Sequence, residues 1–355
     1  MAEPAPGPVA TPAPVPPSIG HGSFEGLDAV MLGAGGYEMT VVPELGLLGA
    51  SILADGREIL SLHGGVDAYR QGHTTGLPLL HPWANRLARP RYEIDGTWVE
   101  FPLEAPVHVA RGLPIHGTMT AAKGWRVEAE LADSTRATLQ ARYTFDQPEQ
   151  LRSFPFPHEV VVFVEVSDLG VRVTTTLHAG GALQVPVSFG WHPYFVVPGA
   201  ARRDVDVLLP ELDHLEVDGE QIPTGNRRRV DPSVTPLGDA ELERGVENTF
   251  DDGYRLVEGA GRVLAIEAPH ADGEPGARHR VAIELDDFYP YAQVYAPSSQ
   301  PFVALEPMTA PTNALLTHDH PSVPPGESYS ASFRVWAEVV PPFDPDADPD
   351  ADTDA

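Results

Sequence analysis

The 355-residue sequence contains no cysteine, which removes disulfides, thiolate zinc sites, iron–sulfur clusters and cysteine nucleophiles together. Lysine is almost absent too. Lys123 stands alone, so neither a Schiff-base lysine nor a phosphate-loop lysine has another source. Positive charge is scarce overall, with 23 basic residues against 51 acidic ones and a formal charge of −28. Such a chain repels nucleic-acid backbones and anionic membranes, so neither is expected as a partner and a neutral or cationic small molecule is. No apolar run of about 18 residues is present, and no membrane-spanning helix is expected. The first residues lack the basic and continuous apolar segments of a secretory signal, which makes the cytoplasm the expected compartment.

What the chain has in quantity is proline (38), glycine (33) and aspartate. Residues 1–26 are Pro- and Ala-rich and are expected to form a disordered tail. Residues 341–355 carry Asp344, Asp346, Asp348, Asp350, Asp352 and Asp354, an expected solvated acidic tail. The stretch between, 27–340, reads as one domain. Val160 to Val166 is a β-branched run, and Val171, Val173, Thr175 and Leu177 alternate with polar residues. The same period of two recurs at Val281, Ile283 and Leu285, and at Tyr329, Ala331, Phe333 and Val335. Asp55–Gly56 and Asp95–Gly96 sit between apolar stretches and suit type I′ hairpin turns. No amphipathic helical stripe exceeds about two turns, and 239–246 is the best candidate for a short helix. The expected class is all-β, a large antiparallel sandwich.

Four clusters combine chemically capable side chains with rigid or apolar neighbours. In His81–Pro82–Trp83–Ala84–Asn85–Arg86, a stiff loop presents an amide and a guanidinium. In Gly112–Leu113–Pro114–Ile115–His116–Gly117, a histidine stands in non-repetitive chain. In Gly190–Trp191–His192–Pro193–Tyr194–Phe195, a histidine lies among aromatic rings suited to the C–H faces of a sugar. In the last, Glu306 follows the apolar stretch 302–305 and precedes Pro307, which is expected to end the strand. There a carboxylate loses solvation and its pKa rises towards a general-base value. Each cluster also has an ordinary role open to it: a structural salt bridge, a satisfied loop histidine, an aromatic core, a strand-end glutamate. Gly33–Ala34–Gly35–Gly36 reads as a turn, and His318–Asp319–His320 is not taken as a metal site; no metal and no cofactor is expected.

These clusters, in this order and in an all-β chain, resemble the aldose 1-epimerase (galactose mutarotase) family. The match rests on Pro82, Asn85 and Arg86, on His116–Gly117, on His192–Pro193–Tyr194–Phe195, and on Leu305–Glu306–Pro307–Met308–Thr309–Ala310–Pro311 with Asn313. The resemblance implies a β-supersandwich with an open cleft and cofactor-free interconversion of the anomers of free aldoses. It makes His192 the general acid and Glu306 the general base, with His116 assisting. It gives Asn85, Arg86, Tyr194 and Asp251 to the sugar. Two alternatives stand beside it, a hexose-6-phosphate 1-epimerase and a non-catalytic sugar-binding module on the same scaffold. A field as negative as this chain's is expected to favour a charged imidazole at His192.

Overall fold

A computed structural model describes residues 15–238, 248–270, 274–298 and 300–342. Two large antiparallel sheets carry the fold. In the nine-stranded sheet the strands run in the order Arg126–Ala132, Arg136–Phe145, His158–Ser167, Gly170–His178, Ser328–Val340, Arg278–Leu285, Val263–Pro269, Asp206–Leu209, Ser233–Pro236. All four stretches read from the sequence as strands are neighbours in it. Their apolar positions, among them Val162, Val173, Ile283 and Phe333, are fully or almost fully buried in the main core. Burying each such side chain stabilises by roughly 1.5–3 kcal/mol before entropy is counted.

The second sheet has eight strands and holds the site. Its path is Pro223–Val230, Leu212–Val217, Phe250–Leu256, Tyr291–Ala296, Val303–Met308, Gly190–Trp191, Leu79–Leu80, with Tyr194–Phe195 also paired to Val303–Met308. One face of these strands is apolar: Tyr254, Leu256, Ala292, Val294, Val303 and Leu305 join the main core. The alternate residues point the other way by the period of two. A five-stranded sheet within residues 15–58 closes the side.

The Asp-Gly hairpins form as expected. Asp55 and Gly56 have φ of 49° and 73°, Asp95 and Gly96 of 49° and 81°, and each pair joins strands through a two-residue turn. Of Gly33–Ala34–Gly35–Gly36, only Gly35–Gly36 is the turn, between Ala34 and Tyr37, while Gly33 and Ala34 pair within the strand Leu27–Gly35. Among the described residues the longest helix is Gly65–Arg70, and none is long and apolar enough to cross a membrane. The candidate helix 239–246 lies outside the described residues, as do 1–14 and 343–355 of the two expected tails.

Two expectations are corrected. The stretch 1–26 is not disordered throughout, because Val15–Phe24 forms a strand on the edge of the five-stranded sheet. Pro16 and Pro17 fall within the register shift between Val15 and Ser18, at an outer edge where a missing N–H leaves no ladder partner unsatisfied. Ile19 packs against the main core, and Glu25–Gly26 closes the hairpin to Leu27. Nor does Pro307 end its strand, which runs from Val303 to Met308. On one side Gly190 pairs with Met308 and Tyr194 with Ala304, and the residues between make no ladder pairing there. Proline is tolerated in that gap.

Candidate functional site

The gap that tolerates Pro307 also sets the site. The two short strands beside Val303–Met308 break at His192–Pro193, and the register from Gly190–Met308 to Tyr194–Ala304 sets His192 opposite Glu306. Cross-strand neighbours of this kind meet side chain to side chain. His192 Nε2 lies 3.2 Å from Glu306 Oε1, and both residues are almost fully buried. The neighbouring odd positions turn to the core: Trp191 donates its indole N–H to Thr175 Oγ1 at 2.9 Å, and Phe195 is fully buried.

The same register brings the remaining groups to the pocket face. Gln293 pairs with Glu306 on one side and with Gly253 on the other, and Asp251 is two residues before Gly253. Gly253 has no Cβ, and a Cβ there would stand 3.1 Å from the Gln293 amide oxygen. Gln293 Nε2 donates to Asp251 Oδ1 at 3.0 Å, and Arg86 Nη2 lies 3.7 Å from Asp251 Oδ2. Asn85 Oδ1 accepts from the Arg86 backbone N–H at 2.8 Å and from Arg86 Nη1 at 3.2 Å.

His116 reaches the pocket through its backbone. Both it and Asn85 are left-handed, with φ of 58° and 56°. His116 N–H donates to Asn85 O at 3.0 Å, and Asn85 N–H donates to His116 Nδ1 at 3.3 Å. An accepting Nδ1 leaves the proton of the neutral imidazole on Nε2. The His116 and His192 rings meet edge to face with centroids 5.5 Å apart. Gly117, at φ of 70°, lets this loop cross the one at His81: a Cβ there would collide with the His81 carbonyl. Gly117→Ala should therefore destabilise the fold by about 3 kcal/mol or more, read as a lower urea midpoint at unchanged slope.

The Tyr194 ring lies almost parallel to that of His192, with centroids 4.3 Å apart and an angle of 11°. Its hydroxyl is 3.2 Å from His192 Nε2 and 2.5 Å from Thr74 Oγ1. Parallel stacking sets that hydroxyl over the imidazole face, so the in-plane position of Nε2 remains for Glu306 or a ligand. All seven residues expected at the site line a single pocket of about 920 Å³, with Gln293 beside them.

Burial dominates the electrostatics. It raises the Glu306 carboxyl well above 4.5, and Asp251 adds to this while Arg86 opposes it. Burial lowers His192 to about 3 and His116 well below 6.5, in the latter case aided by His192, Arg86 and His108. The expectation of a charged imidazole is therefore corrected: desolvation at the pocket floor outweighs the distant acidic field, which solvent and salt screen. With the carboxyl pushed up and the imidazole pushed down, a proton held by the pair rests on the carboxyl rather than on the ring.

Sequence reasoning missed Gln293. It is the one strongly polar residue in the strand Tyr291–Ala296, and nothing local marks it as part of a pocket floor. Thr74 was missed for the same reason: it stands in irregular chain and meets Tyr194 only through the fold.

The architecture is that of the galactose mutarotase-like β-supersandwich. A galactose mutarotase-like protein from Clostridium acetobutylicum superimposes with a TM-score of 0.75 at 21% identity, covering 92% of this chain and 99% of that one. An aldose epimerase homologue from C. elegans gives 0.68 at 17% identity, covering 86% and 97%. Galactose 1-epimerase from Lactobacillus acidophilus gives 0.65 at 14%, covering 91% and 99%. No curated protein matches the sequence significantly. The family's sequence pattern matches residues 29–336, and the chain belongs to the aldose 1-epimerase family.

Proposed function

We propose that the protein is an aldose 1-epimerase that interconverts the α and β anomers of free aldoses. The observation that carries this is the 3.2 Å contact between His192 Nε2 and Glu306 Oε1 on the pocket floor. Hemiacetal opening needs one proton removed from the C1 hydroxyl and one delivered to the ring oxygen O5. A buried pair sharing one proton meets both needs without changing its own proton count. In the reactive tautomer the carboxyl is ionised and the imidazole is charged, a state that the Arg86 charge favours at Glu306.

Glu306 takes the O1 proton, and the O1 electron pair forms the C1=O1 double bond. The C1–O5 electrons pass to O5, which takes the proton from His192, with His116 assisting. The open-chain aldehyde turns about C1–C2 and recloses with the proton flow reversed, giving the other anomer. Arg86, Asn85 and Asp251 hold sugar hydroxyls, and Tyr194 stacks against His192 to fix its ring.

A free aldose is favoured over a 6-phosphate. The Arg91 guanidinium lies 4.3 Å over the Trp98 ring, and neither Arg89 nor Arg91 is among the residues lining the pocket. A phosphate dianion needs such a clamp. Polarimetric mutarotation of glucose, galactose and glucose 6-phosphate tests the assignment. Acceleration of a free hexose above the buffer rate is expected; rates at background for every sugar would refute it, and turnover of the phosphate alone would reverse the choice of substrate.

A further inference from the structure

Arg86 faces the sugar in this scheme, yet its backbone is held from both directions by residues that do not line the pocket. Upstream, five residues before Arg86, His81 is almost fully buried and its ring meets that of His158, also buried, at 2.7 Å between the two Nε2 atoms. The direction of that bond follows from chemistry. His158 Nδ1 stands 2.6 Å from Phe156 O, and a carbonyl only accepts, so Nδ1 carries the proton and Nε2 a lone pair. His81 Nε2–H is then the donor. This bond ties the start of the Asn85–Arg86 loop to strand His158–Ser167 of the nine-stranded sheet. His81 O also accepts Thr118 N–H at 2.9 Å, so the same residue steadies the chain just after His116.

Downstream, Asn313 closes the loop from the other side. Its N–H donates to Arg86 O at 2.8 Å, and its Oδ1 accepts Ala88 N–H at 2.9 Å. It does so from a left-handed conformation, φ of 70°, which asparagine tolerates better than most residues. Asn313 follows Glu306 by seven residues, so one segment carries both the carboxylate and this clamp.

We propose that His158 and Asn313 are positioning residues that set Arg86 against the sugar from outside the pocket. The proposal rests on the function proposed above, because Arg86 is taken as a sugar contact. Because Arg86 is a sugar contact, a residue that only places it acts on KM through Arg86, and its effect disappears when Arg86 is removed.

The test is a set of double-mutant cycles on free-aldose turnover. Asn313→Gly keeps the left-handed backbone and removes the side-chain bond; Asn313→Asp keeps the acceptor. His158→Phe removes the acceptor for His81. Asn313→Gly and His158→Phe should each raise KM about tenfold, with kcat lowered no further than Arg86→Ala lowers it, and Asn313→Asp should stay near wild type. Combined with Arg86→Ala, neither should cost anything further. Losses that multiply in the doubles, or a fall in kcat at unchanged KM, would overturn the proposal. If His158→Phe does not fold, His81→Leu with His158→Phe removes both polar partners and takes its place in the cycle.

Amide hydrogen exchange gives a readout that needs no activity. Asn313→Gly should speed exchange at Arg86 as well as at Ala88, whereas a change confined to Ala88 would contradict the clamp. A wild-type protein that turns over no aldose would refute the proposed function and leave exchange at these amides to decide the positioning role.

Discussion

Glu306→Gln should slow mutarotation by about 10²–10⁴-fold, and His192→Asn by a similar factor, with melting temperature little changed. The size follows from what each substitution removes. The Glu306→Gln side chain would keep the shape and one hydrogen bond to His192 but could neither take the O1 proton nor hold the shared one. The His192→Asn variant would lose the group that protonates O5. Because the two act as one proton-transferring unit, the double variant should be little slower than the worse single variant. The rate ratio and the non-additivity are both read by polarimetry on one sugar. A Glu306→Gln protein within tenfold of wild type would remove Glu306 from the chemistry, whatever its position in the pocket.

A second large effect is expected in stability against acid. Burial lowers His108 and His158 from 6.5 to about 4, His192 to about 3, and His81 and His116 well below 6.5. A histidine with a depressed folded pKa binds fewer protons folded than unfolded. Its contribution is therefore present above the unfolded value near 6.5 and is lost as pH falls through the window from about 6.5 to about 4 or 3. Glu306 works in the opposite sense, as do Asp206 and Asp286, since a raised pKa favours the protonated folded form as pH falls, but His63, His279 and His320 are also lowered, so eight histidines stand against these three carboxyls.

The shifts at His108, His158 and His192 each correspond to on the order of a few kcal/mol across the window, and total stabilities are about 5–15 kcal/mol. Cooperative unfolding is therefore expected between about pH 5 and pH 4. Urea midpoints at pH 7, 6 and 5 should fall progressively; stability that holds constant down to pH 4.5 would show that these rings are not desolvated as the fold places them.

Much of this was legible in the sequence, for identifiable reasons. Period-two alternation found the strands of the nine-stranded sheet because each has one face in the core, and Asp-Gly pairs found their hairpins because both turn residues need positive φ. The strand at Val15–Phe24 escaped because its prolines argue for a tail, and only pairing with Leu27–Gly35 offsets them. In the site, His192 and Glu306 stood out as polar groups among rigid apolar neighbours. Their mutual register, 114 positions apart, belongs to the sheet and has no local signal. The protonation state of His192 was misjudged from net charge, a property of the whole surface, when local desolvation decides it. Gln293 looks like an ordinary strand residue until the fold brings Asp251 to it, and Asn313, marked in the sequence only as part of the family pattern, has no visible task until the fold brings Arg86 to it.

Most depends on His192 and Glu306 sharing one proton that rests on the carboxyl in the ligand-free protein. Nuclear magnetic resonance of the ligand-free protein, with ¹⁵N in the His192 ring and ¹³C in the Glu306 carboxyl, measures this directly as pH is varied. The account predicts an imidazole that stays neutral from pH 7 down to about 4 beside a carboxyl that is still protonated well above pH 4.5. A carboxyl that ionises near 4.5 beside an imidazole that titrates near 6.5 would contradict it.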